Sequence, residues 1–188
     1  MLASILPALL VAGAALAAPA PGPQVKTNTC TSTSTKVKEW SIIDFDFHSS
    51  YIFSTPAHQN SWGYVNFTLQ NPAVGYQVCC SASSNQLQDF FFGTVIYTCD
   101  GCNAPVAADK TTFTFSRPTD ELFVNQTWNC AGEGSRFSAQ GGVVLNLTCA
   151  DQSWQNPTWQ QGQIYSTRNV DCQHVDAKVP IKAMSGIA

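Results

Sequence analysis

An all-β fold, a single antiparallel β-barrel or sandwich domain stapled by disulfides, is what this sequence predicts. Three observations carry the reading. Short runs rich in β-branched and aromatic residues recur between clusters of Gly, Pro, Asn and Asp; no stretch sustains the 3.6-residue period of an amphipathic helix; and eight cysteines punctuate 188 residues.

The chain opens with an apolar run of about a dozen residues, Ile5 to Leu16, too short to span a bilayer and suited to the h-region of a signal peptide. It ends in Ala15-Leu16-Ala17, the small-x-small pattern a signal peptidase accepts, so 1–17 is expected to be a signal peptide and the product secreted and extracellular. The n-region departs from the usual pattern in having no Lys or Arg. Residues 18–37 are rich in Pro, Ser and Thr and nearly free of large apolar groups, which predicts a flexible arm pinned, if at all, at Cys30.

Strands are expected at about 38–48, 62–70, 74–82, 90–99, 111–117, 121–129, 142–150 and, more weakly, 163–168. Alternation supports several of them. Val65, Phe67 and Leu69 oppose Tyr64, Asn66 and Thr68, and Phe113 and Phe115 oppose Thr112 and Thr114, giving each strand one core face and one wet face. Ala139-Gln140-Gly141-Gly142 reads as a turn by composition. The barrel domain is placed at 38–150 and a C-terminal extension at 151–188.

An even cysteine count in an exported chain reads as disulfides, up to four here. Cys99 and Cys102 have C-x-x-C spacing, but without a second such pair they read as a turn holding two disulfide ends. Asn66, Asn125 and Asn146 head N-x-S/T sequons and are expected at the surface as glycosylation sites. Charged residues make up only 11% of the chain and the net charge is -3 with no basic cluster, which argues against nucleic acid, anionic membrane and polyanionic substrates.

Two stretches could carry chemistry. Asp44, Asp46 and His48 alternate with Ile43, Phe45 and Phe47, so one strand face could present an acid/base or metal group. The plainer reading, the wet side of a strand, accounts for every residue without a ligand, and neither a metal nor any other cofactor is expected. Trp40 and Ile42 share the parity of Asp44, which places a bulge near Ile42-Ile43 to send Trp40 inward. Trp154 and Trp159 lie among amide side chains, where they could stack on a sugar, seat a partner protein, or fold back over the core. No G-x-S-x-G elbow occurs, and cysteines in an oxidising compartment offer little prospect of a thiolate nucleophile.

Trp40, Ile42 and Phe45, the strand W-G-Y-V-N-F-T-L from Trp62, Cys80-Ser81-Ala82, Tyr97-Thr98-Cys99, T-F-T-F-S at 112–116 and L-F-V-N-Q-T-W at 122–128 stand in an order that resembles the Alternaria alternata major allergen family of small secreted fungal proteins. The likeness runs from about 38 to 150. It implies a β-barrel-like fold, bridges Cys80–Cys99 and Cys130–Cys149, no established catalytic residues, and action as an allergen, or as an effector or elicitor on plant hosts. Cys79, Cys102 and Cys172 and the tail with its Trp pair depart from the family's pattern. Beside those two bridges, Cys79 could pair with Cys102 and Cys30 with Cys172; alternatively Cys30 stays unpaired and links two copies as a disulfide-linked homodimer. The expected function is that of a secreted, non-enzymatic binding protein whose partner is an unknown host protein or small ligand. The alternatives are a carbohydrate-binding module using Trp154 and Trp159 and a hydrolase using Asp44, Asp46 and His48.

Overall fold

The computed structural model describes residues 29–100, 102 and 109–187, so the expected signal peptide and most of the arm lie outside the described residues. The order of elements is α1 (Cys30–Ser34), β1 (Glu39–Thr55), β2 (His58–Gln70), β3 (Gln77–Ser84), β4 (Tyr97–Thr98), β5 (Lys110–Ser116), β6 (Glu121–Asn129), β7 (Arg136–Val144), β8 (Cys149–Gln155), β9 (Ser166–Cys172) and β10 (Val175–Ile187). Every pairing is antiparallel, and the sheet runs β3-β2-β1-β10-β7-β6-β5-β4, with β8 and β9 joined to it through β1. β3 and β4 lie side by side at its two ends, so the sheet is a nearly closed barrel. The expected fold class is the observed one.

Its interior follows from the alternation. Trp40, Phe45, Phe47, Phe67, Phe113 and Phe115 are all buried, and their rings pack edge-on or offset, as between Phe67 and Phe113 at 5.0 Å and Phe45 and Phe115 at 5.2 Å. β1 supplies residues of both parities to this core through a bulge. Asp44 adopts φ of +57°, and the register against both neighbours shifts there, so Trp40 and Ile42 before it and Phe45 and Phe47 after it all point inward. The bulge falls one to two residues beyond the expected Ile42-Ile43, on a residue type that tolerates the left-handed region.

The chain past 150 is no extension. β10 lies between β1 and β7, with Val179 fully buried, and is therefore a central stave of the barrel. Its alternation of Val175, Ala177, Val179 and Ile181 with Asp176, Lys178 and Pro180 is visible in the sequence, but an internal proline argues against a central strand. Pro180 sits opposite Glu39, where the ladder to β1 ends and the ladder to β7 begins at Ile181, so its missing N–H falls at a ladder's margin. Gly141 and Gly142, read as a turn, are mid-strand in β7. A Cβ on Gly141 would stand 2.4 Å from the Pro180 carbonyl oxygen, so the glycine allows β10 its close approach.

The arm is also partly ordered. Residues 30–34 form a helical turn capped by Thr29, whose hydroxyl accepts from Ser32 N. The Glu133 carboxylate accepts from the N–H groups of Cys30 (2.9 Å) and Thr31 (3.1 Å), and Trp128 Nε1 donates to buried Ser34 Oγ at 2.9 Å. Elsewhere, the expected strand at 90–99 is reduced to Tyr97–Thr98, because Phe90 and Phe91 turn inward and plug one end of the barrel.

The eight cysteines form four bonds within the chain: Cys30–Cys130, Cys79–Cys102, Cys80–Cys99 and Cys149–Cys172. The expected Cys130–Cys149 bond is corrected. Cys130 follows the last residue of β6, whereas Cys149 lies past the far end of β7, and the intervening nine-residue strand puts roughly 30 Å between those ends. Cys149 instead faces Cys172 across the β8–β9 ladder. Cys30 is bonded to Cys130 rather than to Cys172, so no free thiol is left for a link between copies.

Two measurements check this architecture. Peptide mapping without reduction should join Cys30 to Cys130 peptides and Cys149 to Cys172 peptides; a Cys130–Cys149 peptide would refute the assignment. The Cys30→Ser/Cys130→Ser variant, which opens a separation of 100 residues, should lose about 4–5 kcal/mol of stability by the chain-entropy argument. Gly141→Ala should cost about 3 kcal/mol in denaturant unfolding, whereas Gly75→Ala, with open space around its Cβ, should be near neutral.

Candidate ligand site at the barrel mouth

Beyond the bulge, β1 outruns the barrel. Its lower half pairs with β10, but from His48 to Phe53 it pairs with β9, which carries β8 at its edge. The inward parity set by Phe45 and Phe47 continues into Ser49 and Tyr51, which therefore face the end of the barrel where Phe90 and Phe91 fold in, with Tyr51 against Phe90 at 4.9 Å. There they meet Arg168 and Val170 of β9, Asp151 of β8, Asp89 of the segment after β3, and Arg117-Pro118 of the β5–β6 turn. Together these line a cleft of about 400 Å³, in the size range and the location where barrels hold small ligands.

Its polar groups are held rather than loose. Arg168 lies over the Tyr51 ring at 5.1 Å and donates from Nε (2.9 and 3.0 Å) and Nη2 (2.6 Å) to the Asp151 carboxylate. Arg117 lies over Phe47, also at 5.1 Å, with Nη1 on Asp120 at 2.5 Å and Nη2 at 3.3 Å from Cys149 Sγ. Tyr51 donates its hydroxyl to the Gln88 carbonyl at 2.6 Å. The Arg168 hydrogen bonds hold Asp151 below the usual carboxylate range and raise Arg168 itself, while burial pushes the Tyr51 phenol up. Ser49 is only 3% exposed, and its Oγ makes no hydrogen bond among the described residues.

None of these six side chains, Ser49, Tyr51, Asp89, Arg117, Asp151 and Arg168, is singled out by motif. They come from five separate segments, and only the alternation continuing from Phe47 through Ser49 to Tyr51 offered a signal in the sequence.

The expected Asp44, Asp46 and His48 face lies on the barrel's outside, and the structure adds His174 to it. β9 and β10 run against β1 as one interrupted strand, and Gln173-His174 bridges the gap opposite the bulge. His174 Nδ1 is 2.8 Å from Asp44 Oδ1 and its Nε2 is 3.5 Å from Asp46 Oδ1. Asp46 also binds His48 Nδ1 at 2.9 Å and accepts from Asn66 Nδ2 at 3.2 Å, and its side chain is only 16% exposed. This is a hydrogen-bonded seam across β1, β2 and the β9–β10 link, more enclosed than the plain wet face expected. Among the described residues no group of three His, Cys, Asp or Glu side chains is placed to hold a metal ion.

Trp154 and Trp159 flank the β8–β9 tip. Trp154 is half-exposed on edge strand β8, whereas Trp159 is partly covered, donates Nε1 to the Gln163 carbonyl at 2.9 Å, and meets Tyr165 edge-on at 5.8 Å. Of the sequon asparagines, Asn146 is exposed after β7, while Asn66 and Asn125 are half-buried on strand faces.

The Asp44 contact raises the pKa of His174 above its ordinary 6.5. A raised folded value means the charged pair contributes stability fully below 6.5 and loses it as pH climbs through the folded value. Replacing His174 with Gln should therefore lower the melting temperature at pH 5.5 and leave it unchanged at pH 9. An equal loss at both values would show that the side chain acts by packing alone.

Comparison with known proteins agrees with this architecture. Neither a curated protein nor a solved structure matches the chain. The family model described as Alternaria alternata allergen 1 matches residues 42–172, from the first half of β1 through the end of β9. That span takes in the bulge, the Cys79–Cys102 and Cys80–Cys99 bonds and every residue lining the mouth cleft, and it covers well over half the chain, so this protein belongs to the Alternaria alternata allergen 1 family.

Proposed function

We infer that the protein is secreted and acts outside the cell as a non-catalytic binding protein, an effector or elicitor directed at a plant host. The observation that carries the reading is the mouth cleft. It gathers polar side chains from five segments onto a rigid disulfide-bonded barrel, as a binding site requires, while both of its arginines are already paired. A glycosidase-like carboxylate pair would need one carboxyl kept protonated to act as acid, whereas the Arg168 hydrogen bonds lower the Asp151 pKa and favour its ionised form. All three imidazoles lie outside the cleft lining, on Asp46, on Asp44 and on Ser54. Four disulfides and membership of an allergen family whose members are not known as enzymes are consistent with an exported protein of this kind.

Infiltrating the purified protein into leaf tissue should provoke a defence response such as an oxidative burst. Incubation with a panel of cell-wall polysaccharides should release no reducing sugar. The Asp44→Asn/Asp46→Asn variant should still elicit the response. Sugar release by the parent that disappears in this variant would establish the hydrolase alternative instead.

A further inference from the structure

The geometry points to a neutral sugar ring as the ligand of the barrel mouth, held by Ser49, Asp89, Arg117 and Arg168. This rests on the binding-protein reading and names the chemistry it would recognise. The first ground is Ser49. A hydroxyl that is 3% exposed lines a polar cleft beside the Tyr51 phenol and makes no hydrogen bond among the described residues, so it can take a partner there without giving one up.

The second ground is the balance of charge. Two aspartates and two arginines line the cleft, and each guanidinium is already matched, Arg168 by Asp151 and Arg117 by Asp120. An anion would have to displace a carboxylate from one of them and would also face Asp89. A cation, or the ammonium of an amino acid, would be drawn to Asp89 but would leave the unpaired guanidinium donors beside it without an acceptor. An uncharged ligand that both donates and accepts hydrogen bonds meets neither obstacle.

The third ground is direction. Arg168 uses Nε and Nη2 on Asp151, and Arg117 uses both Nη atoms on Asp120 and Cys149, which leaves Arg168 Nη1 and Arg117 Nε as donors without a partner among the described residues. No hydrogen bond among those residues reaches the Asp89 carboxylate. Both guanidinium planes are fixed over aromatic rings, so the remaining donors are aimed before any ligand arrives. Neighbouring hydroxyls on a sugar ring both donate and accept, which suits carboxylate acceptors set beside guanidinium donors. Phe47, Val170 and Pro118 supply apolar surface for the ring's C–H face. The alternative sugar site at the tip has less to offer, because Trp159 spends its N–H and its ring edge inside its own loop.

The test is titration of the intact protein with glucose, cellobiose, xylobiose and chitobiose, followed by calorimetry and saturation-transfer NMR, with glycine and glutamate as charged controls. At least one neutral saccharide should bind saturably. Asp89→Asn should weaken it tenfold or more and Ser49→Ala several-fold, both without loss of melting temperature, and Trp154→Ala should leave it unchanged. The inference is overturned if no neutral saccharide saturates, if either amino acid binds more tightly, if the Asp89 and Ser49 variants bind like the parent, or if Trp154→Ala abolishes binding. Chromatography of the recovered sugar separates this outcome from the broader reading: intact sugar keeps both, whereas cleaved sugar keeps the site and refutes the non-catalytic role.

Discussion

The bulge at Asp44 is the constraint on which the rest of the molecule depends. A strand as long as β1 cannot keep one face buried through a closing barrel without bending, and one residue in the left-handed region supplies both the bend and a change of parity. Trp40 and Ile42 fill the lower barrel as a result, and Phe45 and Phe47 the upper. The same parity then delivers Ser49 and Tyr51 to the mouth. With ordinary pairing throughout, the set from Phe45 onward would be turned to the outside and the core would lose its largest rings. The partner strand answers the bulge with its own interruption at Gln173-His174, and the His174–Asp44 contact joins the two irregularities.

Closure of the barrel has a different origin. β4 is two residues long and forms no ladder with β3 among the described residues, so the sheet's ends are tied covalently by Cys80–Cys99 with Cys79–Cys102 beside it. The adjacent cysteines of β3 point to opposite faces, Cys80 to the core at 2% exposure and Cys79 outward, which is why each has its own partner. A seam made this way frees the segment between β3 and β4 from strand geometry. Phe90 and Phe91 can then fold across the barrel's end, and Asp89 reaches the mouth beside them. Gly63 permits the same fold, since a Cβ there would stand 2.7 Å from Phe90.

How much of this was legible in the sequence depended on distance along the chain. Strands β5 and β6 could be read almost to the residue, and the part of β2 from Trp62 onward, because alternation is a local property, and the bulge could be read because Trp40 and Phe45 cannot face inward without one. β10 was hidden by Pro180, whose harmlessness depends on which neighbour its N–H would have met. The glycines of β7 were hidden for the same kind of reason: Gly141 marks the approach of Pro180, which lies 39 positions away in the chain. Disulfide partners followed family likeness for Cys80 and Cys99. For Cys130 they required the length of the β6–β7 hairpin in space, which no cysteine spacing encodes.

The candidate site lay further out of reach, because its residues become neighbours only when the barrel closes. Charge is scarce here, 21 Asp, Glu, Lys and Arg side chains in 188 residues, so a surface chosen at random would hold few arginines. Two of them over aromatic rings at one barrel end, each with its carboxylate, form a concentration that solubility alone does not require. The strands that carry one of these pairs, Arg168 with Asp151, are also the ones least needed for the barrel itself. β8 and β9 stand outside its nearly closed path, are joined to each other by Cys149–Cys172, and pair with the main sheet through β1 alone. Their burial is slight, since β8 is exposed along nearly its whole length. An element that adds little to the core, yet is cross-linked internally by a disulfide and an ion pair and carries Arg168 to the barrel's mouth, is better explained by what it encloses than by what it stabilises.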